Sequence, residues 1–187
     1  MKLARLPRVA FAVLAIFLLS GCASIQAYQE ESKHWQEMAD RATEKLGGGQ
    51  VSVSVVAGHV GNSGSCAAGT ITLGHDGDTK WLLAHELGHH ISGHCWEGID
   101  SEMAANETAI KVLQVWGETE EEAYRHVANR LFWLAENRRR PLAGHNYCAE
   151  LQDVARLYID KYPPKDPGRA TKVCPNLTIP RVGRAAQ

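Results

Sequence analysis

LLAHELGHHISGHC (residues 82–95) gathers four histidines, one glutamate and one cysteine into fourteen positions. Read as a helix, the stretch sorts its polar residues by angle. At about 100° per residue, His89 lies about 40° from His85 and one turn along, so both imidazoles reach one ion. Glu86 lies at about 100°, beside that ion rather than on it, where a general base takes a proton from a metal-activated water. His90 falls near ~140° and His94 near ~180°, on the far side. Leu83 and Leu87 share that side, so it packs inward and both histidines are structural.

A catalytic metal site ordinarily has three protein ligands and an open position. The third is expected from the next helix, SEMAANETAIKVL (101–113). Glu102, Asn106, Ala109, Leu113 and Trp116 fall within about 40° of one line down that helix. Glu102 then reaches the ion, and Ala109 lets the two helices approach. Asn106 accepts a hydrogen bond from the second nitrogen of a ligand histidine, fixing its tautomer. Glu107, the rival third ligand, lies about 140° away on a polar face and is disfavoured.

These residues carry a resemblance. His85-Glu86-Leu87-Gly88-His89 is an H-E-x-x-H motif. With Glu102, Ala105, Asn106 and Ala109 it resembles the gluzincin clan of zinc metallopeptidases. HtpX-like and CAAX-protease-like members carry E-x-x-A-D-x-x-A at that place, and ImmA-like members carry E-x-x-A-N-x-x-A. The resemblance spans about residues 70–113 and implies one Zn2+ per chain, held by His85, His89 and Glu102, with Glu86 catalytic. Such peptidases place an exposed strand beside the motif helix for an extended substrate; Gly69 to Gly74 is either that strand or an ordinary core strand. Candidates for stabilising the transition state are His145 and Tyr147, in GHNYC (144–148). Tyr124 and His126 are weaker choices, and His34, His59 and His75 read as surface residues.

The amino terminus bears on location. Lys2, Arg5 and Arg8 precede an apolar run, and Leu19-Ser20-Gly21-Cys22 resembles a bacterial lipobox. The resemblance implies a signal peptide over 1–21, cleavage before Cys22 and acylation of Cys22, which anchors a chain firmly. Ala23 and Ser24 imply the outer membrane, facing the periplasm. Without the three leader cations the formal charge passes from −1 to −4, and no basic block points to nucleic acid.

Residues 22–187 are expected to form one α+β domain, a small sheet followed by a helical body, zincin-like by resemblance. Residues 22–50 read as an N-terminal helix, over 25–46, and linker, with Tyr28, Trp35, Met38, Ala42 and Leu46 at helical spacing. Strands are expected at 51–57 and 70–74, with a loop over 58–69. Helices follow at about 79–94, 101–116, 119–139 and 147–161, the third opened by a capping box from Thr119 to Glu122, then an irregular tail over 163–187. Four further cysteines in an exported chain favour disulfides. From Cys66 to Gly74 an extended chain covers about 26 Å, and a helix from Thr79 to Cys95 about 24 Å. A strand and helix running antiparallel therefore return Cys66 and Cys95 to one end, leaving Cys148 to pair with Cys174.

The expected function is a lipid-anchored zinc endopeptidase acting on peptides or unfolded envelope proteins. Two alternatives remain: a non-catalytic zinc-binding envelope lipoprotein, and a small interaction lipoprotein in which the motif is coincidence.

Overall fold

A computed structural model of the chain describes residues 8–56, 63–65, 69–74, 79–95, 98–138, 142 and 144–178; side chains are described from residue 26 onward, those of 63–65 excepted. The order of elements is α1 (Arg8–Leu46), β1 (Ser52–Val56), β2 (Ser63–Ser65), β3 (Thr70–Gly74), α2 (Thr79–Ser92), α3 (Ile99–Val115), α4 (Glu120–Asn137), α5 (Tyr147–Tyr158) and α6 (Pro167–Val173). The class is α+β, as expected.

The sheet has three strands in the order β1-β3-β2. β1 and β3 run parallel, with Val53 opposite Ile71, and β2 runs antiparallel to β3, with Gly64 opposite Ile71. One expectation is corrected here and one open alternative is decided. The loop expected over 58–69 contains strand β2, whose Ser63-Gly64-Ser65 lacks the β-branched and aromatic residues that announce a strand. Gly69 to Gly74 supplies the central strand, paired on both sides, so it is not an exposed edge.

The outer edge of β1 is closed by a helix. Gln36 of α1 donates from Nε2 to the Val51 carbonyl at 2.8 Å and accepts the Val53 N–H at Oε1 at 2.7 Å. Ser32 Oγ accepts the Val55 N–H at 2.9 Å. These side chains satisfy ladder groups that an open edge would leave to another chain. Val51, Val53 and Val55 alternate inward with exposed Ser52, Ser54 and Val56, which is why this segment is a strand.

α1 begins earlier than the expected helix over 25–46. Its apolar line is the expected one: Ala39 and Ala42 are buried, and Tyr28, Trp35, Met38 and Leu46 pack against the core. Among the described residues no helix is long and apolar enough to cross a membrane. The tail is not wholly irregular, because Asp166 caps α6 by accepting the Arg169 N–H and Pro167 occupies its first turn. A disulfide joins Cys148 at the start of α5 to Cys174 just after α6, as expected. Cys95 is also disulfide-bonded; its expected partner, Cys66, lies outside the described residues, as do His59 and His75. Thr119 and Glu122 form the expected capping box at the start of α4.

The helical body is organised by α2 against α3. Leu83 and Leu87 of α2 and Ile110, Val112 and Leu113 of α3 are fully buried, each larger side chain contributing about 1.5–3 kcal/mol of apolar burial. α5 packs on α3 and α4, and α6 on α4. α2 also approaches α3 tightly at Gly88, beside the expected Ala109. A Cβ at Gly88 would overlap the Ala105 carbonyl oxygen and lie 2.9 Å from Ala105 Cα. Backbone cannot swing aside as a side chain does. Gly88→Ala is therefore expected to cost at least about 1–3 kcal/mol as overpacking, read as a fall in the thermal midpoint. An unchanged midpoint would mean that the helices do not meet here.

Candidate metal centre

His85 and His89 project from α2 toward Glu102 in the first turn of α3. His85 Nε2 lies 3.1 Å and His89 Nε2 3.4 Å from Glu102 Oε2. Ligands held about 2.0–2.1 Å from an ion in a tetrahedral shell stand roughly 3.3 Å apart. Glu102 is buried, and Oε2 makes no hydrogen bond of acceptable geometry. Such an atom demands a partner, so the three residues form a group that can hold a metal ion.

The far nitrogens of both imidazoles are held. His85 Nδ1 faces Asn106 Oδ1 at 3.1 Å. His89 Nδ1 faces the His94 carbonyl at 3.1 Å and Ser101 Oγ at 3.2 Å, and Ser101 donates to the same carbonyl at 2.7 Å. With acceptors at Nδ1, the proton belongs on Nδ1 and the Nε2 lone pair faces inward. Three inward lone pairs bind a cation or share a proton.

The electrostatics describe the centre with a proton in place of a cation. Burial alone pushes Glu102 upward, but the imidazoles of His85 and His89, with His145 beyond, reverse this and hold it far below the usual carboxylate range. Burial pulls His89 down, yet Glu102, the His94 carbonyl and the charge of Glu86 outweigh it and raise its affinity for a proton. Glu86 is half-buried on α2, in range of that centre.

The short connection between the helices is part of the site. α2 stops at Gly93, whose φ of 70° suits glycine, and α3 starts directly after Gly98. The turn at Gly93 lets the His94 carbonyl face back to His89. His94 thus acts through its backbone, while its ring and that of His90 are half-buried.

The sequence-based candidates separate cleanly. Glu107 faces Asp153 of α5, and burial together with that carboxyl raises it; it is not at the centre. Tyr124 stacks with Tyr158 and Tyr162, His126 sits on Glu118, and His34 is exposed. His145 is at the centre, its Nδ1 3.4 Å from Glu102 Oε2. Tyr147 is buried beside it, ring centroids 5.2 Å apart, and its hydroxyl accepts the Leu142 N–H at 3.5 Å.

Two participants were not singled out in the sequence. Glu150, on α5, is fully buried, and Oε1 accepts from His145 Nδ1 at 3.2 Å and from the Asn146 N–H at 2.9 Å. Oε2 accepts from Asn106 Nδ2 at 2.9 Å. Glu102, His145 and Glu150 also form a group that can hold a metal ion, but the oxygens of Glu150 already have donors, which favours the His85, His89 and Glu102 set. Trp81 stacks on His85 at 5.1 Å, and Arg130 lies over the Trp81 ring. The hint for Glu150 was an acid one turn past an N-cap asparagine, which is too common to single out.

No protein-family model, curated protein or solved structure matches the chain.

Protons compete with metal for His89. Because its affinity for a proton is raised, competition begins above the ordinary histidine value near ~6.5, while Glu102 stays ionised. Apparent metal affinity should fall at least about tenfold from pH 7.5 to pH 5.5, measured by competition with a chelating indicator. A flat profile would place the metal elsewhere.

Proposed function

We propose that this chain is a lipid-anchored, zinc-dependent endopeptidase that hydrolyses peptides or unfolded proteins of the bacterial envelope. The observation that carries the reading is the convergence of His85 Nε2 and His89 Nε2 on the buried, otherwise unpartnered Glu102 Oε2. Two imidazoles and one carboxylate are the donor set of a catalytic zinc site that keeps a position open. The packing of the H-E-x-x-H helix on a glutamate-bearing helix, beside a small mixed sheet, supports a zincin-like fold. Zinc held there would polarise a scissile carbonyl and acidify a water.

The chain's own residues supply the rest. Glu86, one position after a ligand on α2, takes a proton from the attacking water and passes it to the leaving amine. A purely binding site has no need of a carboxylate there. His145 serves the developing oxyanion. Burial lowers its affinity for a proton, but its hydrogen bond to Glu150 and the charges of Glu150 and Glu102 more than reverse that, which favours a ring with a proton to donate. Tyr147 is the weaker choice, since its hydroxyl is turned to Leu142. Anchoring through acylated Cys22 on the outer membrane, facing the periplasm, rests on the lipobox-like Leu19-Ser20-Gly21-Cys22. Nucleic acid is not an expected partner.

Glu86→Gln keeps size and removes the base. It should retain zinc and lose about 10²–10⁴-fold in cleavage of a quenched peptide library. A parent chain that binds zinc and cleaves nothing would support a binding lipoprotein. Cleavage undiminished in the variant would remove Glu86 from the chemistry.

A further inference from the structure

We propose that Glu150 is a positioning residue that sets the proton arrangement of the centre: it locks the Asn106 carboxamide so that His85 keeps its proton on Nδ1 and presents a bare Nε2 to the ion. This rests on reading His85, His89 and Glu102 as a metal site.

The direction of the network is fixed at one end. The Asn146 backbone N–H, which can only donate, meets Glu150 Oε1 at 2.9 Å. Taken as a carboxylate, Glu150 has no hydrogen to give at Oε2 either. The group 2.9 Å from Oε2 must therefore be the NH2 of Asn106, as placed. Its carbonyl Oδ1 then turns the other way, to His85 Nδ1 at 3.1 Å. An amide oxygen only accepts, so His85 Nδ1 must be the protonated nitrogen. A neutral imidazole carries one N–H, which leaves the Nε2 lone pair facing Glu102 Oε2 at 3.1 Å. The links from Glu150 through Asn106 to His85 are buried: Asn106 and Glu150 have no exposed surface, and His85 is 4% exposed. Water cannot readily replace a missing partner.

Asparagine alone does not settle this. Turned over, its carboxamide would offer NH2 to His85, which would then accept at Nδ1 and carry its proton on Nε2. That tautomer turns an N–H toward the ion and must give up or shift that proton before it binds a metal, which weakens binding. Glu150 supplies the asymmetry that Asn106 lacks. The same carboxylate holds His145 Nδ1 at 3.2 Å, so one side chain of α5 orients groups on both sides of the centre.

The test exchanges donors and acceptors. In Glu150→Gln, the new carbonyl must accept from Asn146 and His145, so the new NH2 faces Asn106 and forces its carboxamide to turn. Adding Asn106→Asp restores an acceptor to both neighbours. The double variant has the same buried charge and nearly the same shape as the parent. Long-range 1H–15N spectra of the full metal-free chain report the His85 tautomer, and competition with a chelating indicator reports zinc affinity.

The parent should show the Nδ1–H tautomer. Glu150→Gln should show Nε2–H and bind zinc about 10–100-fold more weakly. The double variant should regain Nδ1–H and bind within a few-fold of the parent. The proposal is overturned by Nε2–H in the parent, by parental tautomer and affinity in Glu150→Gln, or by a folded double variant as weak as the single one. If Glu150→Gln does not fold, the double variant against the parent decides; if neither variant folds, the parental tautomer decides. A parent with Nδ1–H that binds no zinc would end the metallopeptidase reading while leaving the role of Glu150 intact.

Discussion

The contact between α2 and α3 at Gly88 and Ala105 is the constraint on which the rest of the structure depends. Helices with ordinary side chains between them pack about 8–10 Å apart. A glycine set directly on the opposing backbone removes that layer at one point. His85 lies three positions before Gly88 and His89 one after it, while Glu102 lies three before Ala105. The ligand residues thus flank this tight approach on both helices, and short imidazole and carboxylate side chains suffice to bring three donor atoms together. Ala109, Leu83, Leu87 and Leu113, all fully buried, extend the contact and hold the helices in place.

Holding the atoms together has an electrostatic cost. Glu102, Glu150, His85 and Asn106 are buried in one small region, and each ion taken from water costs several kcal/mol unless compensated. The compensation is shared. Glu150 is satisfied by protein donors on both oxygens. Glu102 is not, and its Oε2 depends on what the histidines bring with them. The region therefore has one closed half and one open half. The closed half fixes geometry and proton positions; the open half is where a cation gains most. A metal bound there would accordingly couple its affinity to folding stability.

Much of this could be read in the sequence because it follows from angles on single helices. The spacing of His85 and His89, the inward Leu83 and Leu87, and the line from Glu102 through Asn106 and Ala109 all follow from helical geometry. The capping box at Thr119 and the apolar line of α1 are equally local. What escaped depends on the path of the chain. Strand β2, made of serine and glycine, has no propensity to announce it and exists because β3 offers an edge. Glu150 becomes special only when α5 packs on α3. The His94 carbonyl is backbone, which no side-chain motif records. Gly88 occupies a variable position of the H-E-x-x-H pattern, and only the opposing Ala105 shows why it must be small. The disulfide of Cys148 with Cys174 was legible by elimination, once Cys66 and Cys95 were assigned to each other by length.

The claim beneath all of this is that two α2 histidines and one α3 glutamate share a single ion. The most direct test is the metal content of the purified chain after equilibration with zinc at neutral pH and removal of excess, with a Glu102→Ala copy beside it. The account predicts about one tightly held ion per chain in the parent, as expected of a three-ligand site, and a clear loss in the variant. A folded parent that retains no metal, or a variant that retains as much as the parent, would contradict it.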